Sequence, residues 1–99
     1  MRLTPAARDI IRKTTREVFG EGAQVRLFGS RLDDSQRGGD IDLLVELGSH
    51  QPDSGKKSLR LAALLQMRLG DQPIDVLVID PQTPLQPIHR VATATGEPV

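Results

Sequence analysis

The sequence predicts an α+β fold, a small mixed sheet of three or more strands with helices packed mainly on one face. Two segments repeat apolar residues at helical spacing, and three short runs are rich in strand-forming residues. Glycine and proline separate these segments, which follow one another as helix, strand, strand, helix, strand. At 99 residues we expect one domain, 1–99, with a motif core over 24–80 and a less regular tail over 81–99.

The first helix is predicted to begin at Thr4 and Pro5, since threonine is a favoured N-cap and proline fits the first turn. Gly20 or Gly22 ends it. The residues on its inner face are Ala7, Ile10, Ile11, Thr14 and Val18. Residues 24–28 then predict a strand that Gly29 stops, and residues 30–39 form a polar, glycine-rich loop.

The second strand is predicted over residues 40–47, where side chains alternate between two faces. One face carries Ile41, Leu43, Val45 and Leu47, and the other carries Asp40, Asp42, Leu44 and Glu46. Residues 50–55 look like a connector, and a second helix is expected over 56–69, with Leu61, Ala62, Leu65 and Leu69 on its inner face. The third strand is predicted over 74–79, and a short last helix over 85–94.

The composition excludes several classes of function. Thirteen Lys and Arg offset 13 Asp and Glu, so no overall field attracts nucleic acid or an anionic membrane. Phe19 and Phe28 are the only aromatic residues, which leaves no platform for stacking bases. The absence of cysteine excludes disulfides, thiolate metal sites and a cysteine nucleophile. No apolar stretch approaches the roughly 18 residues that span a bilayer, so we expect a cytoplasmic protein that binds neither membrane nor nucleic acid directly.

Three aspartates form the candidate catalytic and metal-binding set. Asp40 and Asp42 leave the same face of one strand, with their α-carbons about 6.5 to 7 Å apart. They repel each other unless a cation is present, and magnesium prefers hard oxygen ligands of this type. Asp75 lies in an otherwise apolar strand, where a carboxylate is costly without a partner. If the third strand lies beside the second, Asp75 joins the pair, and three carboxylates can support two metals about 3.5 to 4 Å apart.

Gly29, Ser30 and Arg31 are the candidate nucleotide-binding residues. A glycine directly after a strand lets backbone amides approach a phosphate, and the serine hydroxyl adds a donor. Arg31 offers a charge-assisted contact to the same phosphates, and its alternative is a salt bridge to Asp33 or Asp34. Together with the aspartates, these residues suit a metal-bound nucleoside triphosphate.

The motifs combine into a recognisable pattern. Residues 27–31, LFGSR, are followed after the polar loop by residues 39–45, GDIDLLV, and later by IDV at 74–76. This pattern resembles the signature of the DNA polymerase beta-like nucleotidyltransferase superfamily, and it looks most like the minimal, stand-alone members. The resemblance covers roughly residues 5–80, and all the motif positions are filled.

The resemblance implies a mechanism and a partner. In the family, residues like Gly29 and Ser30 hold the triphosphate, residues like Asp40 and Asp42 bind two magnesium ions, and a residue like Asp75 completes the site and helps to deprotonate the attacking hydroxyl. Minimal members often act as antitoxins of a HEPN-domain ribonuclease, and some transfer AMP from ATP to that toxin. The implied function is therefore magnesium-dependent transfer of a nucleoside monophosphate, AMP from ATP, to a hydroxyl of a partner protein.

Other interpretations remain open for parts of the sequence. An isolated Asp-x-Asp is usually a solvated strand end, and only the surrounding motifs favour a metal site. The chain could instead be an antitoxin that neutralises its partner by contact alone, or a transferase acting on a small molecule such as an aminoglycoside. Lone His50 and His89 are assigned no role. Lys56, Lys57 and Arg60 could bind phosphates, but a solvated helix face is favoured, and the leucines of the second helix form core or, in part, a partner surface.

Overall fold

The computed structural model describes residues 4–28, 41–70, 73–83 and 97–99. The elements are α1 (Pro5–Phe19), β1 (Gln24–Phe28), β2 (Ile41–Glu46), α2 (Ser54–Leu69), β3 (Ile74–Ile79) and β4 (Glu97–Pro98). The strands form one four-stranded sheet in the order β3-β2-β1-β4. Because β2 is parallel to β3 while β1 is antiparallel to both β2 and β4, the sheet is mixed. The predicted α+β fold is confirmed.

The ends of both helices follow from their capping residues. The Thr4 hydroxyl accepts a hydrogen bond of 3.1 Å from the Ala7 amide, as expected of an N-cap. Gly20, at a φ of +103° that favours glycine, ends α1. Helix α2 begins at Ser54 rather than at residue 56, since the Asp53 carbonyl already accepts the Lys57 amide at 3.0 Å. Apolar periodicity could not reveal that first turn, because Ser54 and Gly55 carry no apolar side chain.

The hydrophobic core lies between the sheet and the two helices. Its fully buried members come from α1, α2 and the two central strands: Ile11, Leu27, Ile41, Leu43, Val45, Leu61 and Leu65. The alternation predicted for β2 is thus confirmed, since Ile41, Leu43 and Val45 all face the helices. The prediction that Leu61 and Leu65 form the inner face of α2 is also confirmed.

The opposite face of the sheet carries a second, smaller apolar cluster. Phe28 and Leu44 are buried there, with Leu77 and Ile79 packed against them. Since side chains alternate along a strand, Asp42 and Asp75 lie on this same face, two residues before Leu44 and Leu77. The sheet therefore separates the two aspartates from α1 and α2.

The end of the tail joins the sheet, although no strand pattern in the sequence predicts this. The Val99 amide donates to the Val25 carbonyl at 3.1 Å, and the guanidinium groups of Arg8 and Arg12 donate to the carbonyls of Pro98 and Val99 at 3.1 and 3.5 Å. The short last helix expected over 85–94 falls outside the described residues. Of the helices within the described ranges, none is long and apolar enough to cross a membrane.

Candidate active site

Asp42 and Asp75 lie side by side at the start of two parallel strands. The register of β2 and β3 places Ile41 beside Ile74 and Asp42 beside Asp75. Neighbouring strands are about 4.7 to 4.9 Å apart, and residues aligned in this way project from the same face of a sheet. The condition on which the predicted convergence depended, that the third strand lies beside the second, is therefore met for these two residues.

The register of this strand pair is held by backbone and core contacts. The Ile41 amide donates to the Pro73 carbonyl at 3.0 Å, just before the aspartates. Ile41 is 1% exposed and Ile74 is 8% exposed, and both pack in the main core. A slip of one residue would turn Asp75 toward the helices and Ile74 toward the opposite face, so burial of these isoleucines specifies the pairing of the carboxylates.

The surroundings of the two carboxylates differ. Asp42 is half-buried, while Asp75 is exposed. On its other side Asp42 is paired with Phe28, the last residue of β1. Phe28 is 8% exposed and Leu44 is fully buried, so both give this part of the sheet an apolar surface. Two like charges at the edge of an apolar surface favour a bound cation, because the cation offsets both their repulsion and their partial loss of water.

The chemistry of the pair fits a divalent cation. Magnesium is commonly held by one or two carboxylates together with the phosphates of a substrate, and it keeps several waters. Asp42 and Asp75 place two carboxylates at adjacent register positions. No group of three or more His, Asp or Glu residues that could hold a metal ion is found within the described ranges. A magnesium ion at this pair would accordingly draw its other ligands from substrate, water or residues outside those ranges.

The remaining predicted site residues directly follow β1 or directly precede β2 in the sequence. Asp40 directly precedes Ile41, the first residue of β2, and Gly29 directly follows Phe28, the last residue of β1. Asp40, Gly29, Ser30 and Arg31 themselves lie outside the described residues. Phe28 is nevertheless the register partner of Asp42, so β1 ends beside the aspartates at the point where the Gly-Ser motif begins.

The three cations near the start of α2 lie away from the aspartates. Helix α2 follows the far end of β2, where the Leu47 amide donates to the Ile79 carbonyl at 2.9 Å. From Asp42 to Glu46 the strand rises by about 13 Å. Lys57 contacts Gln51 and Asp53 at this far end, at 2.7 and 3.5 Å. The interpretation of Lys56, Lys57 and Arg60 as a solvated helix face is favoured over phosphate binding at the aspartates.

A histidine and an aspartate also pair at the far end of the sheet. Nδ1 of His50 lies 2.9 Å from Oδ2 of Asp80, whose side chain is only 5% exposed. Asp80 also accepts the Gln82 amide at 2.8 Å and the Thr83 hydroxyl at 3.2 Å. Sequence reasoning assigned nothing to Asp80, although an aspartate before proline at a strand end is typical of a turn. The His50–Asp80 pair joins the loop after β2 to the turn after β3 and takes no part in the candidate site. His89 lies outside the described residues.

Asp80 makes the stability of the fold depend on pH. Burial raises the pKa of Asp80, but hydrogen bonds from the Gln82 amide, His50 and Thr83 outweigh it, so the pKa lies below its ordinary value of 3.8. A lowered carboxyl pKa stabilises the fold above the unfolded value, and that stability is lost as pH falls through the folded value. We expect Asp80→Asn to lower the Tm at pH 7 and the difference from wild type to shrink below pH 3.8. Thermal melts at a series of pH values measure this, and a difference that grows in acid would contradict it.

A cavity of about 230 Å³ lies between α1, β1 and the C-terminal strand, lined in part by Arg12, Arg16 and Arg26. Two of these arginines already form salt bridges, Arg12 with Asp9 at 3.0 Å and Arg26 with Glu46. The cavity borders the start of β1, whereas Asp42 is aligned with the end of that strand. It is therefore separate from the aspartate pair.

Comparison with known proteins gives two matches of different kinds. The family model described as "Nucleotidyltransferase domain" matches residues 8–95. Among solved structures, a chain of the toxin-antitoxin complex MntA-HepT is similar in fold, with a TM-score of 0.68 and 19% sequence identity. The alignment covers 96% of this chain and 70% of that chain. No curated protein matches the sequence.

Proposed function

Because this chain belongs to the nucleotidyltransferase domain family, we propose that it transfers a nucleoside monophosphate from a nucleoside triphosphate to an acceptor hydroxyl. The main support for this proposal is the alignment of Asp42 with Asp75 on one face of the sheet. A pair of adjacent carboxylates is suited to holding the metal ions on which metal-dependent phosphoryl-type transfer relies. Its position at the end of β1, directly before the Gly-Ser motif, gives further support.

In this proposal each residue of the predicted site has a role. Asp40, Asp42 and Asp75 hold magnesium, with two ions expected. Gly29 and Ser30 bind the triphosphate through backbone amides and a hydroxyl, and Arg31 adds a charged contact. When bound, magnesium supplies charge neutralisation for the phosphates and lowers the pKa of the acceptor hydroxyl. The chain itself supplies the position and the orientation of both substrates.

The proposed reaction needs no protein nucleophile. The acceptor oxygen forms a bond to the α-phosphorus, the bond from that phosphorus to the bridging oxygen of pyrophosphate breaks, and pyrophosphate leaves with the electron pair. The acceptor proton passes to Asp75, the residue to which the family resemblance assigns deprotonation of the attacking hydroxyl.

We further propose that the nucleotide is ATP and that the acceptor is a hydroxyl on a partner protein in the cytoplasm, namely a HEPN-type toxin. Two observations support this choice. The fold resembles that of a chain from a toxin-antitoxin complex, and the sequence resembles minimal nucleotidyltransferases. The chain would then act as an antitoxin by modifying its partner.

Labelled ATP provides the test. The purified chain is incubated with magnesium and its partner protein, once with ATP labelled at the α-phosphate and once with ATP labelled at the γ-phosphate. Transfer of a nucleoside monophosphate puts only the α-label on the partner, whereas phosphoryl transfer puts only the γ-label there. The same assay with CTP, GTP and UTP gives the nucleotide preference.

A parallel measurement of toxin activity separates the enzyme from a contact antitoxin. If the partner is neutralised only when magnesium and ATP are present, and remains inactive after this chain is removed, modification is responsible. Neutralisation without nucleotide, reversed on removal of the chain and with no label on the partner, would show that the chain acts by contact alone.

A further inference from the structure

The outward surface of α2 carries an exposed apolar row. Leu59 is 74% exposed and Met67 is 81% exposed, and they are the large hydrophobic side chains of the described ranges that stand exposed. Ala63, also exposed, lies midway between them. Residues spaced by four lie on the same side of a helix, so the row extends for about 12 Å, with a shallow gap at the alanine. Such a row leaves apolar surface in water that a partner could cover.

The charges beside this row are all positive. Helix α2 contains Lys56, Lys57, Arg60 and Arg68 and no acidic residue. Lys57 is paired with Asp53 at 3.5 Å and Arg68 with Glu17 at 2.8 Å. Lys56 and Arg60 are exposed, and within the described part of the chain they form no salt bridge. These two unneutralised cations lie beside Leu59, on the same side of it around the helix.

The position of Lys56 favours binding of an acidic group from another molecule. Lys56 lies in the first turn of α2, which contains no acidic residue. The first turn of a helix carries a partial positive charge, so a cation there is unfavourable and an anion is favourable by a few tenths of a kcal/mol to about 1 kcal/mol. An acidic group brought to this end of α2 would meet the helix terminus, Lys56 and Arg60 together.

We propose that this outer α2 face, composed of Lys56, Leu59, Arg60, Ala63 and Met67, docks an amphipathic helix of a partner protein whose apolar row is flanked by Asp and Glu. Apolar side chains of that helix pack on Leu59 and Met67 around the gap at Ala63, and its acids pair with Lys56 and Arg60. A second copy of this chain fits less well, because two such faces bring cations together without any acid on either α2.

The docking surface is separate from the aspartate pair. Helix α2 packs on the core face of the sheet, whereas Asp42 and Asp75 lie on the opposite face. The Met67 end of α2 leads toward β3, where Asp75 is the second residue. A partner held here leaves both carboxylates uncovered. The proposal concerns recognition and does not depend on the proposed transfer reaction.

Two matched synthetic peptides test the docking surface. Both are amphipathic helices of about 18 residues, or roughly five turns, with the same apolar row, flanked by Glu in one and by Lys in the other. Each is titrated into the full isotope-labelled chain and followed by amide shifts. We expect the Glu peptide to shift the amides of Leu59, Ala63 and Met67 and to bind at least about tenfold more tightly than the Lys peptide.

Variants of the chain separate the contribution of charge to peptide binding from the contribution of apolar contacts. The double variant Lys56→Glu, Arg60→Glu should reverse the preference between the two peptides. Arg16→Glu, a single charge reversal at an exposed residue of α1, should leave the preference unchanged. The double variant Leu59→Gln, Met67→Gln should weaken binding of the Glu peptide by about tenfold or more with an unaltered Tm, because both side chains are exposed.

Several results would overturn the proposal. These are no binding of either peptide, equal binding of both, or shifts confined to residues outside α2. Concentration-dependent dimerisation in sedimentation that Leu59→Gln, Met67→Gln abolishes would instead assign this face to a second copy of the chain.

Discussion

Replacing Asp42 or Asp75 with asparagine is expected to reduce nucleotidyl transfer by about 10²-fold or more, the size of effect seen when a charge-stabilising group is removed from an active site. Each substitution removes a negative charge, and with it a proposed metal ligand, while preserving the size of the side chain. Since the two carboxylates are aligned on adjacent strands, loss of either one leaves a single ligand of the pair. The double variant should not be much worse than the worse of the two single variants, because residues that act as a unit are not additive.

The same variants should fold normally. Asp75 is exposed, so we expect Asp75→Asn to change the Tm by no more than a few degrees, equivalent to about 0.5 kcal/mol. Asp53→Asn is the matched control, because it makes the same chemical change at an exposed residue beyond the far end of β2. Initial rates with α-labelled ATP and thermal melts provide the two readouts. Full activity in Asp75→Asn would remove that residue from the proposed mechanism.

Leu43→Ala should cause the largest loss of stability. Leu43 is fully buried in β2, in the cluster that joins the sheet to α1 and α2. Truncating such a leucine costs about 2 to 5 kcal/mol, because apolar contacts are lost and a cavity remains. In a domain of this size each kcal/mol lowers the Tm by roughly 4 to 8 °C. We therefore expect a decrease of at least about 10 °C.

Met67→Ala is the control for this prediction. It also truncates a large apolar side chain, but Met67 is 81% exposed, so we expect a change within about 0.5 kcal/mol. Denaturant unfolding of both variants gives the free energies, and equal m-values would show that the unfolded states are comparable. Similar losses for the two variants would contradict the assignment of the core to the helix-facing side of β2.

Local patterns were sufficient to predict most of the fold. The bounds of β1 and β3 were predicted as observed, because each run of strand-forming residues is bordered by glycine or proline. The start of α1 followed from Thr4 and Pro5. Strand β4 was missed because Glu97 and Pro98 carry no strand pattern of their own, and they enter the sheet through pairing with Arg26 and Leu27, far away in the sequence.

Only part of the candidate site could be predicted from the sequence. The alternation along β2 placed Asp42 on the face away from the core, and the apolar neighbours of Asp75 marked it as unusual. Whether the two meet depends on strand order and register, which no local pattern determines. The contact between His50 and Asp80 could not be predicted for the same reason, since it joins the loop after β2 to the turn after β3.

Paramagnetic broadening shows where the metal binds. Manganese is paramagnetic and accepts the same oxygen ligands as magnesium, so it broadens the amide signals of residues close to its site. The isotope-labelled chain is titrated with Mn²⁺ in the presence of a non-hydrolysable ATP analogue. We predict that the amides of Asp42 and Asp75 broaden first, and that Asp42→Asn greatly reduces the effect. Broadening centred on Asp53 or Asp80, and unchanged in Asp42→Asn, would contradict the assignment of the aspartate pair as the metal site.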